Sequence, residues 1–193
     1  MVKNALVLIL LALVSSCIRC DPPAIIDYGK IPDHVLKFVP YQNGQNYKFR
    51  HSGGLLIGFA AARQSRDEWL RCERCCDYEY KFEVNTTTLT PDYPVFSFGF
   101  ELSNMDSVNF GFGAWVGHYW FQIPTNDYQA SFCRFADSVL IGDRFYHDVF
   151  KVKSNYGSAY DRDTIYADSM YYCYKAGILQ IIMSNDERYT IYE

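Results

Sequence analysis

A period-two alternation recurring along most of the chain is the feature that most limits what it can fold into. In DYEYKFEV, residues 77–84, Tyr78, Tyr80, Phe82 and Val84 share one side and four charged residues share the other. That is the pattern of a strand with one dry face and one wet face. VFSFGFEL, residues 95–102, repeats it with Phe96, Phe98, Phe100 and Leu102 opposite Ser97, Gly99 and Glu101. After the polar turn SNMDS, residues 108–123 are expected to form the next strand, where Val108, Phe110, Phe112, Ala114 and Val116 alternate again. Two phenylalanine-rich faces joined by a short turn are expected to pair as a hairpin with cross-strand aromatic contacts.

Turn chemistry points the same way. Asn43-Gly44 suits a tight hairpin turn, Gly142-Asp143 suits its mirror form, and residues 184–187 separate ILQIIM from RYTIY. A sustained 3.6-residue period is absent; residues 63–74 alone are expected to supply a helical turn or two. Aromatic residues make up 18% of the chain, seventeen of them tyrosines, which suits pleated, half-buried surfaces. The expected fold is all-β: a single antiparallel meander, with a closed or partly open, lipocalin-like barrel favoured over a sandwich.

The N-terminus, MVKNALVLILLALVSSCIRCDPPA, sets the compartment. Lys3 precedes the apolar run ALVLILLALV, and two small serines follow. Residues 1–16 therefore read as a secretory signal, too short to span a bilayer. Val14-Ser15-Ser16-Cys17 resembles a bacterial lipobox, which would make Cys17 the first mature residue and the seat of a lipid anchor. Ordinary cleavage after Ser16 is the rival reading. Cysteine arithmetic favours the anchor: with Cys17 there are seven cysteines, and diverting its sulfur to a thioether leaves an even number to pair. Residues 17–34 read as a lipid-anchored tether and residues 35–193 as one β domain.

In an exported chain, Cys20, Cys72, Cys75, Cys76, Cys133 and Cys173 are disulfide candidates. Adjacent Cys75 and Cys76 face opposite ways if extended, so they need different partners. Cys133 and Cys173 are the natural ones for two of the 72–76 cluster. That cluster lacks the second knuckle of a zinc site and the βαβ surroundings of a redox motif. His34, His51, His118 and His147 show no ligand spacing, and His118 is expected to share a strand face with Val116 and Trp120. No nucleophile elbow is present. No catalytic residue, metal or cofactor is expected, and a pI near 5.5 with no basic patch argues against nucleic acid.

One strand face stands out. Gly111, Gly113, Trp115 and Gly117 alternate with the phenylalanines. Missing side chains there permit either strong coiling, with Trp115 covering the gaps, or a shelf for a ligand. Coiling is favoured.

Three further stretches act in combination: FVPYQNG at 38–44, DSVLIGDRFYHDV at 137–149, and YY followed by KAGILQ over 171–180. With the VSSC motif they resemble small lipoproteins of unknown function from Bacteroidetes-type cell envelopes. The resemblance implies an outer-membrane address and supplies no activity; the expected partners are the membrane, held through the N-terminal lipid, and an envelope protein or glycan. It also implies O-glycan acceptor sites of the Asp-Ser/Thr-aliphatic type at 106–108, 137–139, 163–165 and 168–170. The expected function is a non-enzymatic binding or structural role. The alternative is a hydrolase of envelope material or glycans working through an unrecognised site.

Overall fold

The computed structural model describes residues 23–71, 78–105, 110–125, 133–155 and 165–192. Among them, twelve strands form one sheet. The first seven are β1 (Ala24–Asp27), β2 (Asn46–His51), β3 (Leu56–Arg71), β4 (Tyr78–Pro91), β5 (Phe98–Ser103), β6 (Gly111–Val116) and β7 (Tyr119–Gln122). The remaining five are β8 (Cys133–Ile141), β9 (Arg144–Lys153), β10 (Ala167–Cys173), β11 (Gly177–Met183) and β12 (Arg188–Tyr192). One helical turn, α1 (Asp33–Leu36), precedes β2.

The strand order is β7-β6-β5-β4-β3-β2-β12-β11-β10-β9-β8. Two meanders are thus joined where the last strand pairs with β2, Thr190 opposite Arg50. The order is that of a ring opened at one seam, since β7 and β8 share no ladder among the described residues. Near the seam, the amide of Asn155 bonds the carbonyl of Trp120 at 2.9 Å. The fold is a partly open, up-and-down meander, as the alternation implied. β1 is the exception in direction: it lies parallel to the start of β4, Ala24 opposite Tyr78.

The phenylalanine faces pair as expected. Phe100 lies opposite Ala114 and Leu102 opposite Phe112, and all four side chains are buried. Three local expectations are corrected. Residues 63–71 are the outer half of β3, not helix, each paired with β4 from Arg63–Thr87 to Arg71–Glu79. β2 covers only residues 56–60 of that strand, so the outer half projects as a ribbon wet on both sides and shows no alternation. Residues 108–123 do not run as one strand. They turn between β6 and β7 at Gly117, whose φ of +59° favours glycine, and His118 sits exposed in that turn rather than on a strand face. On β4 the charged side is not wet throughout: Glu83 points inward to the Ile31 amide and is only 7% exposed, while on the opposite side Phe82 and Val84 are buried as the alternation implied and Tyr80 stacks on Tyr28 at 6.1 Å.

The inward charge is explained by residues 28–42, which run through the concavity of the sheet. Ile31, Val35, Val39 and Tyr41 all belong to the main core. Glu83 accepts the Ile31 amide at 2.7 Å. Asn104 donates to the carbonyls of Tyr28 and Gly29 and accepts the Glu83 amide at 2.7 Å. The Arg63 guanidinium donates to the carbonyls of Leu36 and Val39 and to Asn85. Part of the expected tether is therefore built into the domain: β1 is a sheet strand and Ile31 is core.

Tyr41 is the centre of this plug. Its ring packs against Phe100 at 5.5 Å and edge-on to Tyr47 at 4.7 Å. Its hydroxyl accepts the Ile178 amide at 2.8 Å. Gly177 passes beneath with φ +78°, and a Cβ there would stand 2.6 Å from the phenol carbon. The barrel interior is filled by the chain itself.

Candidate functional site

With the interior occupied, binding surfaces must lie outside it. The glycine face is the first the sequence suggested. A Cβ at Gly113 would overlap the Trp120 indole, and one at Gly99 would come within 2.5 Å of the Trp115 indole. At Gly111 it would meet the Ser103 hydroxyl at 2.6 Å. The room left by the glycines is taken by two indoles and a hydroxyl, an aromatic cover over a coiled wall. Gly113→Val is accordingly expected to lower stability by roughly 1–3 kcal/mol through overpacking, read as a reduced midpoint in thermal unfolding. An unchanged midpoint would contradict this packing.

A second surface is built by a bend. Along β8 and β9 the register runs unbroken from Ala136–Val149 to Ser138–His147, and the ladder is interrupted only at the opposed Asp137 and Asp148. Asp148 adopts φ +54°, a conformation aspartate tolerates better than most residues. Beyond this interruption the hairpin folds across the outer face of the sheet. Ile141 and Val149 pack there with Cys173 and Leu179 as a separate small core. The turn at Gly142 and Asp143 is thereby carried towards β12 and β2.

Between hairpin and sheet lies a cleft of about 790 Å³. Its charged walls are Arg50 from β2, Arg188 from β12, and Arg144 with Asp143 from the hairpin. Thr190 lies opposite Arg50, so Arg50 and Arg188 occupy diagonal positions on one sheet face. The Arg50 guanidinium carbon stands 4.2 Å above the Tyr192 ring. Asp143 is the single carboxylate among the described lining residues, within a chain whose net charge is −4. At the rim, the Gly53 amide donates to His51 Nδ1 at 3.1 Å, which places the neutral ring's proton on Nε2, 3.7 Å from Glu187.

Three arginines from three strands were not legible as a set, because nothing local shows that the first and last meander strands pair. The usable signal was alternation: Arg50 flanks Phe49 on β2, and Arg188 flanks Tyr189 on β12.

The remaining sequence-derived sites divide cleanly. Cys17, Cys20, Cys72, Cys75 and Cys76 lie outside the described residues. Cys133 belongs to the main core and Cys173 to the outer one. They therefore face opposite sides of the sheet, and both are buried and form no disulfide with a described residue. Burial pushes the Cys133 thiol up to about 11 and raises that of Cys173 as well, so neither is a thiolate at neutral pH. Among the acceptor motifs, Ser138 is exposed whereas Ser169 is 2% exposed and sealed from modification. The others, at 106–108 and 163–165, include residues outside those described.

No protein-family model, curated protein or solved structure matches this chain.

Proposed function

We propose that this chain is an exported, lipid-anchored binding module of a Bacteroidetes-type cell envelope. In this reading Cys17 holds it to the outer membrane and the arginine cleft is its working surface. One observation carries the proposal: the two ends of β3. Ala24 follows Cys17 by seven positions and pairs at the ribbon end of β4, so an anchor at Cys17 puts the ribbon end at the bilayer. The cleft lies beside Gly54 and Arg50, at the opposite end of a 16-residue strand. At ~3.3 Å per residue that strand spans about 50 Å, which presents the cleft away from the membrane.

The side chains at the ribbon end suit that orientation. Ile25, Trp69 (53% exposed), Leu70 and Tyr78 all remain uncovered there, and tryptophan and tyrosine favour the lipid–water boundary. Cysteine use is consistent with it too. Anchoring Cys17 and burying Cys133 and Cys173 leaves Cys20, Cys72, Cys75 and Cys76, an even set for an oxidising compartment.

Two outcomes follow. Wild-type protein should partition into the detergent phase and Cys17→Ala protein into the aqueous phase, because attachment depends on acyl burial. Wild-type protein found in the aqueous phase would end the anchored reading. Alkylation without reductant should label no thiol in folded protein and only Cys133 and Cys173 after unfolding. Labelling at two or more of residues 72–76 would contradict the disulfide assignment.

A further inference from the structure

We propose that the arginine cleft binds an organic polyanion, a ligand of di- to trisaccharide size carrying at least two carboxylate, sulfate or phosphate groups. This deepens the binding reading of the same cleft and does not depend on the lipid anchor. Its ground is the set of charges the fold assembles there. Arg50 and Arg188 are placed diagonally on one face by the β12–β2 pairing, and the bent hairpin brings Arg144 to the same cleft. Arg50 and Arg188, like charges set diagonally on one face, repel one another, and anionic oxygens placed between them relieve that repulsion. With Asp143 as the one carboxylate among the described lining residues, the cleft is locally cationic in an acidic chain.

The geometry is suited to recognition beyond charge. The Arg50 guanidinium rests over the Tyr192 ring, and a guanidinium's N–H groups take a carboxylate, sulfate or phosphate in paired fashion. The Ser52 hydroxyl accepts the Arg188 amide at 3.2 Å, and the Thr190 hydroxyl accepts Gln180 Nε2 at 2.8 Å. Each retains a proton to donate. Tyr146 and Tyr192 add flat apolar surface. A volume of about 790 Å³ falls in the range of organic ligand sites and far exceeds what one inorganic anion fills.

The test is calorimetric titration of the mature wild-type protein and its Cys17→Ala form with four probes. These are a sulfated disaccharide, a diuronate, a sugar bisphosphate and a neutral disaccharide. At least one polyanion should bind with a dissociation constant below 1 mM, the neutral sugar should not, and the preferred probe identifies the anionic group. Affinity should fall as sodium chloride rises from 50 to 300 mM. Arg50→Ala and Arg188→Ala should each weaken binding about tenfold or more with unchanged melting temperatures, since both side chains are exposed. Arg134→Ala, on an exposed strand position outside the cleft, should leave binding intact. The proposal falls if no polyanion binds at 5 mM, if the neutral sugar binds equally well, or if Arg134→Ala weakens binding as much as Arg50→Ala. Equal binding by wild-type and Cys17→Ala protein separates this result from the fate of the anchor.

Discussion

Replacing Tyr41 by alanine is expected to cost about 3–5 kcal/mol of stability, the range for emptying a buried aromatic site. The ring is fully buried among Phe98, Phe100 and Tyr47, and the wall it leans on cannot close in. Gly177 holds a left-handed conformation, so the strand start beneath the ring is fixed by backbone geometry. The loss has a second part. The Ile178 amide, which donates to the Tyr41 hydroxyl, would be left buried without its acceptor, a defect worth about 1–3 kcal/mol. Tyr41→Phe isolates that part, because it keeps the ring and removes the oxygen. Urea unfolding of both variants separates packing from hydrogen bonding. A loss below 1 kcal/mol for Tyr41→Ala would mean that residues 28–42 do not fill the barrel.

Glu83→Ala is the second large effect, about 2–3 kcal/mol, because it strands a buried donor that a charged acceptor now satisfies. Glu83 binds the Ile31 amide, and its own amide is held by Asn104. Removing the carboxylate should therefore loosen the plug before the sheet. Hydrogen exchange at Ile31 should quicken more than exchange at Phe100 on β5. Uniform quickening at both would contradict a local latch. The surrounding ion pairs matter less. Lys30, Asp67, Lys81 and Asp27 form a chain of contacts from 2.6 to 3.4 Å, but they are solvated and screened. The Lys30 ammonium hydrogen-bonded to Asp67 holds that carboxyl below its ordinary 3.8. The Gly29 amide does the same for Asp27. Lowered values mean that their support is complete above about pH 4 and lost as pH falls through the folded-state values.

How much of this was legible in the sequence depended on whether a strand has one wet face. Residues 95–102 and 110–116 were readable because phenylalanines on one side met glycines and serines on the other, and the sheet buries that side. Residues 63–71 were not, because they pair with β4 alone, in a ribbon that is wet on both faces and imposes no period. Residues 78–84 were readable as a strand but not for the part their charges play. On the charged side Glu83 reaches the mouth of the barrel and latches the plug, while on the other side Phe82 and Val84 are buried and Tyr80 stacks on Tyr28. The plug itself was visible only as the stretch FVPYQNG, since no local pattern says that a loop will run through a sheet. The cleft depended on ring closure. Arg50 and Arg188 read as solvent-facing positions of two distant strands until the β12–β2 ladder sets them side by side.

The anchored-module reading meets its most direct test in the N-terminal peptide of the mature protein recovered from the membranes of a producing bacterium. Mass spectrometry should find a peptide that begins at Cys17 and carries a diacylglycerol thioether on its sulfur. A peptide beginning elsewhere, or an unmodified Cys17, would contradict it.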